Sequence, residues 1–129
     1  MLRKFELIFL LIGLLSIRGI NAQNPVIFAD VPDNSMIRVG DTYYMSSTTM
    51  HMSPGAPIMK STDLVNWELV NYAYDILDDV DELNLANGKS AYGRGSWASC
   101  LRYHDNTYFL STFASTTNAT YIYKPKDIE

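Results

Sequence analysis

Apolar and polar residues alternate in short runs through most of the chain, which is the pattern of half-buried β-strands. Met36–Val39 and Thr42–Ser47 are two such runs, joined by Gly40-Asp41, a pair that favours a hairpin turn. Further runs at Pro57–Lys60 and around Trp67 complete a four-stranded unit. We find no convincing amphipathic helix, so the pattern predicts an all-β fold.

The four-stranded unit recurs along the chain. Ile37–Asp41 matches Leu101–Asp105 at an offset of 64 residues, and after an inserted Asn106 the match of Thr42–Ser46 with Thr107–Ser111 lies at 65. Chance similarity between two hairpins is the alternative explanation. Repeated four-stranded sheets are how a β-propeller is built, each sheet packing against the next around an axis.

The repeat divides the chain into two units. It predicts a first blade over about residues 33–72, a loop over 73–95 and a partial second blade over 96–129. A propeller needs at least about four blades to close. The sequence therefore predicts two blades of an incomplete propeller, which needs further blades or a partner chain.

The first 22 residues have the composition of an export signal. Arg3 and Lys4 give a positive start, Leu7–Ile17 is apolar, and Ala22 is the small residue that signal peptidase requires. A membrane anchor is the alternative, but the apolar run is well short of the ~20 residues that span a bilayer. The signal predicts a periplasmic or extracellular protein that begins at Gln23 and is not inserted in a membrane.

The charge that remains after cleavage restricts the partners. Residues 23–129 contain 7 basic and 13 acidic residues, a net charge of −6. A surface this acidic does not suit nucleic acid or an anionic membrane. The single cysteine, Cys100, excludes an internal disulfide, so stability must come from burial.

Five stretches of the chain, in this order, resemble the N-terminal part of glycoside hydrolase family 43. As a set they are specific, although each alone is weak. They are Asn24–Val26, Asp30–Tyr44, Pro54–Ile58, Ser61–Glu68 and Gly95–Tyr103.

The resemblance implies a fold and an activity. Family members are five-bladed propellers that hydrolyse xylose- and arabinose-containing plant polysaccharides and oligosaccharides with inversion. Five units of the observed period would make about 320 residues, a plausible single domain. The chain would then be the first two blades of a five-bladed β-propeller.

Asp33 matches the family's general base, the carboxylate that activates water in an inverting glycosidase. Its alternative role is that of a turn-forming aspartate after Pro32. The family's general acid, a Glu, falls in a later blade and has no counterpart here. A third carboxylate, which tunes the pKa of the acid, follows Trp-Ala-Pro in the family, and in this chain Cys100 stands in its place.

Two further residues are predicted to contact substrate. Trp97 either stacks on a sugar ring or fills space between blades. His51 either lines the sugar pocket or has a structural role in its loop. A nucleophilic role for Cys100 has little support, since no base is indicated beside it.

The sequence predicts neither a metal site nor a cofactor. The acidic run Asp78–Glu82 lacks the ligand spacing and the glycine of an EF-hand loop, so a solvated loop face is the simpler explanation. Two other functions remain open. One is a noncatalytic sugar-binding propeller, suggested by Cys100, and the other is a retaining fructosidase-like enzyme in which Asp33 is the nucleophile.

Overall fold

The computed structural model describes residues 25–129. The predicted signal peptide, residues 1–22, lies outside the described residues. Within residues 25–129 the chain forms seven β-strands and no helix, which confirms the all-β prediction. In the same range, no helix of a length and hydropathy suited to crossing a membrane is found.

The first sheet contains four antiparallel strands in chain order, as the sequence predicts. They are β1 (Ser35–Val39), β2 (Thr42–Ser46), β3 (Gly55–Ser61) and β4 (Glu68–Tyr74). Gly40 opens the turn between β1 and β2 with a φ of 60°, a conformation that glycine adopts without steric cost.

Asp63 closes the turn between β3 and β4. Its carboxylate accepts backbone N–H bonds from Asn66 at 2.7 Å and Val65 at 2.9 Å, and the side-chain amide of Asn66 donates to it at 2.7 Å. These bonds, those from Asn66 above all, hold the pKa of the Asp63 carboxyl well below its usual range. The turn therefore depends on an ionised aspartate.

The second sheet contains three antiparallel strands in chain order. They are β5 (Cys100–His104), β6 (Thr107–Ala114) and β7 (Ala119–Tyr123). The turn between β5 and β6 is formed by Asp105 and Asn106, whose φ angles are 46° and 57°. Two consecutive positive φ angles are typical of the type I′ turn, which Asp and Asn tolerate better than other non-glycine residues.

The strand pairing shows how the two sheets correspond. Ser35 pairs with Ser46 in the first hairpin, and Cys100 pairs with Ser111 in the second. The two hairpins are thus equivalent at a constant offset of 65 residues, and both close with two-residue turns. The predicted offset of 64 before the turn, with Asn106 as an inserted residue, is wrong.

The error has a physical cause. Ile37 and Leu101, which the sequence comparison matched, both pack into the core. They reach it from opposite faces of the repeating unit, because the first sheet meets the second with one face and the second meets the first with the other. The register equivalent of Leu101 is Met36. A shift of one residue along a strand turns the side chain to the other face.

The core lies between the two sheets. Tyr44 and Tyr108 meet across it with their ring centroids 5.6 Å apart and their planes at 73°, the edge-to-face geometry that aromatic pairs favour. Ile58 is 2% exposed and Leu101 is fully buried. Each such aliphatic side chain contributes about 1.5–3 kcal/mol to stability, so apolar contact between the sheets holds them together.

Each sheet also exposes apolar side chains on its other face. Met36 and Leu69 of the first sheet are 47% and 48% exposed, and Phe113 and Ile122 of the second are 39% and 62% exposed. A blade in a propeller packs on both faces. These residues lie where further blades would pack.

The segment between β4 and β5 is ordered by contacts with the first sheet. Leu83 is fully buried and Ala91 is 1% exposed. The carbonyl of Leu83 accepts a bond from the N–H of Ser53 at 2.9 Å. The segment begins after Tyr74, since β4 runs slightly beyond the predicted blade limit near residue 72. Its buried residues fix a loop that borders the candidate site.

Candidate active site

Asp33 lies two residues before β1, where the chain turns into the innermost strand of the first sheet. Its φ of 51° lies in the left-handed region, which Asp tolerates but which most residues avoid. Two donors hold the preceding carbonyl, that of Pro32: the Ser47 hydroxyl at 2.7 Å and the Thr48 N–H at 3.2 Å. The end of β2 therefore fixes the backbone that presents Asp33.

The carboxylate of Asp33 is exposed and has one side-chain donor among the described residues. The hydroxyl of Thr48 donates to its Oδ2 at 3.4 Å. Thr48 is 5% exposed, so it holds one carboxylate oxygen from the protein side. The other oxygen remains available to a water molecule or a sugar hydroxyl.

A cavity of about 500 Å³ opens beside this carboxylate. This volume falls in the range of ~300–1,000 Å³ found for ligand pockets. Its lining combines polar groups with aromatic and apolar ones. The lining residues are Asp30, Pro32, Thr48, Thr49, Met50, His51, Met52, Pro54, Pro57, Tyr72 and Tyr92.

His51 is among the lining residues, as the prediction of a substrate contact requires. Its ring is parallel to that of Tyr92, with an angle of 7° and a centroid distance of 4.6 Å. The Nδ1 of His51 accepts a bond from the N–H of Gly93 at 3.5 Å. This bond leaves Nε2 as the nitrogen that carries a proton, because a neutral imidazole has one donor and one acceptor.

The loop that carries Tyr92 is joined to the first sheet at Gly95 and Ser96. The N–H of Gly95 donates to the carbonyl of Met50 at 2.9 Å, and the hydroxyl of Ser96 donates to the carbonyl of Thr49 at 3.2 Å. A Cβ atom on Gly95 would lie 2.5 Å from the Thr49 carbonyl oxygen. Only glycine permits this close approach of two backbones.

Trp97 lies one residue beyond this junction and outside the cavity lining. It is 44% exposed. Its backbone N–H donates to the carbonyl of Phe113 at 2.7 Å, and its indole N–H donates to the Ser115 hydroxyl at 3.3 Å. The second sheet thus fixes the indole, and its role as a sugar contact stays a prediction.

Cys100 is the first residue of β5 and is exposed. Because neighbouring residues of a strand point to opposite faces, its thiol lies on the face away from Leu101 and the core. It does not line the cavity beside Asp33. Its assignment to the position of the third carboxylate stays a prediction.

The acidic run between β4 and β5 is paired with neighbouring side chains. Asp81 lies 3.1 Å from the ammonium of Lys89, and Glu82 lies 3.6 Å from it. The bond from Lys89 lowers the pKa of Asp81. Among residues 25–129 we find no group of three or more histidine, cysteine or acidic side chains placed to bind a metal ion.

A second cavity, of about 240 Å³, lies between the two sheets. Core side chains such as Ile58, Leu101 and Leu110 form much of its wall. It has neither Asp33 nor His51 in its lining. We therefore place the candidate site at the larger and more polar cavity.

Sequence reasoning missed Thr48 and Tyr92. Thr48 was within reach, since the hairpin pairing of Ser35 with Ser46, continued outward by two residues on each strand, sets Thr48 opposite Asp33. Tyr92 gives no such signal. Its position depends on contacts between a loop and a strand end far away in sequence.

Comparison with known proteins places these features in a family. The model of glycosyl hydrolases family 43 matches residues 22–129. A beta-xylosidase of Formosa agariphila is 43% identical over 86 residues, which cover 67% of this chain. A non-reducing end alpha-L-arabinofuranosidase of Bacteroides ovatus is 37% identical over 109 residues, 81% of this chain.

Solved structures agree with the sequence relatives. A bifunctional GH43-CE protein of Bacteroides eggerthii superposes with a TM-score of 0.77 at 71% identity, covering 84% of this chain and 15% of that one. A xylan beta-1,4-xylosidase of Bacillus halodurans gives 0.69 at 31% identity, covering 84% of this chain and 21% of that one. The predicted fold class is confirmed, because the two sheets are successive blades of a β-propeller.

The match covers a small part of the related proteins. The chain spans 14% of the Formosa beta-xylosidase and 20% of the Bacteroides ovatus arabinofuranosidase. The family model nevertheless covers all the described residues, including Asp33 and the whole cavity lining. The predicted resemblance is thus confirmed, and the chain belongs to glycosyl hydrolases family 43.

Proposed function

We propose that the whole protein carrying this chain hydrolyses O-glycosidic bonds in xylose- and arabinose-containing polysaccharides or oligosaccharides, with inversion. The observation that carries the proposal is the exposed carboxylate of Asp33. A buried hydroxyl holds it at the mouth of a cavity of about 500 Å³. Membership of the family and its xylosidase and arabinofuranosidase relatives support the substrate class.

In this mechanism Asp33 is the general base. Its carboxylate takes a proton from a water molecule, whose oxygen attacks the anomeric carbon as the bond to the leaving oxygen breaks. A carboxylic acid on the other side of the sugar, about 6.5–9.5 Å from the base, gives its proton to that oxygen. In our proposal a later blade supplies this acid. Thr48 keeps one oxygen of Asp33 in place, and the other oxygen receives the proton.

The remaining predicted residues take supporting roles. His51 presents its Nε2–H to a sugar hydroxyl in the cavity, and Trp97 offers an indole face to the substrate. Cys100 occupies the place of the carboxylate that tunes the acid, and its uncharged thiol supplies no such charge.

The proposal includes export. The pattern of residues 1–22 supports a signal peptide that is cleaved after Ala22. N-terminal sequencing of the protein recovered from the periplasm or medium should begin at Gln23. A protein that starts at Met1 would contradict this part of the proposal.

The test of the catalytic role compares two aspartates of one segment. In the whole protein, Asp33→Asn should abolish hydrolysis of aryl xylosides and arabinofuranosides, because an amide cannot accept the proton. Asp30→Asn is the matched control, since Asp30 also lines the cavity, and it should keep most of the activity. Loss of activity in Asp30→Asn alone would reject Asp33 as the base.

Product stereochemistry separates the mechanisms. NMR of the first-formed sugar should show the inverted anomer. A retained anomer would instead support the fructosidase-like alternative, with Asp33 as nucleophile. Binding of xylo- or arabino-oligosaccharides without turnover would support a noncatalytic sugar-binding propeller.

A further inference from the structure

Tyr92 is an exposed aromatic residue with a fixed position. Its side chain is 78% exposed, whereas His51 covers one face of the ring in a nearly parallel stack. The opposite face of the phenol ring is open. Large exposed aromatic faces are costly in water unless they have a use.

Backbone bonds on both sides of Tyr92 hold it in place. Its N–H donates to the Ser90 hydroxyl at 3.1 Å. The N–H of Arg94 donates to the carbonyls of Ala91 at 2.7 Å and Met50 at 3.1 Å. A platform that is already ordered loses little conformational entropy when a ligand binds.

The stacked pair lies in the same cavity as the catalytic segment. Tyr92 and His51 line it together with Thr48, which holds Asp33. At about 500 Å³, the cavity falls in the size range of pockets for drug-sized ligands, which are larger than one pentose. It therefore has room for a second sugar ring.

We propose that Tyr92, backed by His51, is the platform of a second sugar subsite, which binds the pentose unit next to the one whose bond is cleaved at Asp33. The C–H groups on one face of a pentose ring pack on the open face of the phenol, and the Nε2–H of His51 donates to a hydroxyl of the same ring. This assignment rests on the proposed function, because that function puts the cleaved unit at Asp33.

The test uses the whole protein and two substrates. Xylotriose or arabinotriose fills both subsites, whereas a xylosyl or arabinofuranosyl fluoride, with its one-atom leaving group, needs only the subsite at Asp33. Tyr92→Ala should weaken trisaccharide affinity, measured by calorimetry, about tenfold and leave fluoride hydrolysis within twofold. Tyr92→Phe keeps the ring and should bind like the wild type.

A matched control is Phe28→Ala, because Phe28 is 82% exposed and lies outside the cavity lining. It should change neither measurement. Equal trisaccharide affinity in Tyr92→Ala and wild type would overturn the subsite and leave the proposed function standing. An equal loss for both substrates would also overturn it, since Tyr92 would then act on the cleaved unit.

The two proposals fail separately. If the wild type hydrolyses neither substrate but binds the trisaccharide through Tyr92, the hydrolytic function is wrong and the sugar subsite is supported. If the wild type hydrolyses the fluoride but shows no Tyr92-dependent trisaccharide affinity, the function is supported and the subsite is wrong.

Discussion

The hydroxyl oxygens of Ser46 and Ser99 lie 2.7 Å apart in a buried position. Ser46 ends β2 of the first blade, and Ser99 immediately precedes β5 of the second. A second bond nearby runs from the N–H of Leu101 to the Ser35 hydroxyl at 3.0 Å. Polar bonds thus set the relative position of the inner strands of the two blades, close to where the candidate site is built.

The serine pair should show energetic coupling. Ser46→Ala and Ser99→Ala each leave the other hydroxyl buried without this partner, which costs about 1–3 kcal/mol. The double variant removes both groups and should cost less than the sum of the single variants, by about 1 kcal/mol. Urea unfolding of the four proteins measures the difference.

A second pair serves as the control for this cycle. Ser61 is also buried but bonds to Asp63 in the turn after β3. The effects of Ser46→Ala and Ser61→Ala should therefore add. Additive effects in the Ser46 and Ser99 pair would show that the contact contributes no coupling.

Thr48 is expected to act as a positioning residue for the base. Thr48→Val removes the donor to Asp33 while keeping the shape of the side chain. In the whole protein kcat should fall about tenfold, which corresponds to one hydrogen bond to a charged group of ~1.4 kcal/mol, and KM should stay nearly constant.

The conservative variant checks this role. Thr48→Ser retains the hydroxyl and should restore most of kcat, as measured on an aryl glycoside. A rise in KM with kcat unchanged would show instead that Thr48 binds substrate. Equal kcat values for the valine and serine variants would remove the hydrogen bond from the mechanism.

The strands were predictable because their signals are local. Alternation of apolar and polar residues, with a Gly-Asp turn, defines β1 and β2 without any knowledge of tertiary contacts. The repeat offset near residue 101 was not, because the apolar match between Ile37 and Leu101 reflects a shared interface. The pairing of Cys100 with Ser111 shows the true register.

The candidate site divides in the same way. Asp33 was identified through a sequence resemblance, and the hairpin register would have added Thr48. Tyr92 and Gly95 depend on how the long loop meets the end of β2, where Met50 accepts bonds from Arg94 and Gly95. Contacts between residues more than forty positions apart leave no periodic signal in one sequence.

Gly95 should not tolerate even the smallest side chain. In Gly95→Ala the new methyl group would meet the Thr49 carbonyl oxygen at 2.5 Å, so backbone must move in a buried position. We expect a loss of stability of about 2–4 kcal/mol and weaker trisaccharide binding, because the same junction holds the Tyr92 loop.

Gly40 provides the comparison. A Cβ there meets no atom within 4 Å, and only the φ of 60° is unfavourable. Gly40→Ala should therefore cost about 1–2 kcal/mol and leave trisaccharide binding unchanged. Thermal unfolding and calorimetry measure both effects. If Gly95→Ala is no less stable than Gly40→Ala, the junction has more freedom than the contact distance implies.

The contact of Glu129 with the first sheet should make stability depend on pH. Its carboxylate pairs with Lys60 and accepts a bond from the Tyr44 hydroxyl at 2.8 Å. Lys60 first and then Tyr44 lower the pKa of Glu129 below its usual 4.5, and Glu129 raises the pKa of Lys60 above its usual 10.5.

The signs of the two shifts define a plateau. A lowered acid pKa gives stability that is present above pH 4.5 and is lost as pH falls through the folded-state value. A raised lysine pKa gives stability that is present below pH 10.5 and is lost as pH rises through the folded-state value. The Tm difference between wild type and Glu129→Gln should be largest between these limits and shrink below pH 4.5. Asp41→Asn, which removes the fully exposed pair with Arg38, is the control and should change Tm less. A Tm difference for Glu129→Gln that stays constant down to pH 2 would show that the ionised carboxylate is not the stabilising form.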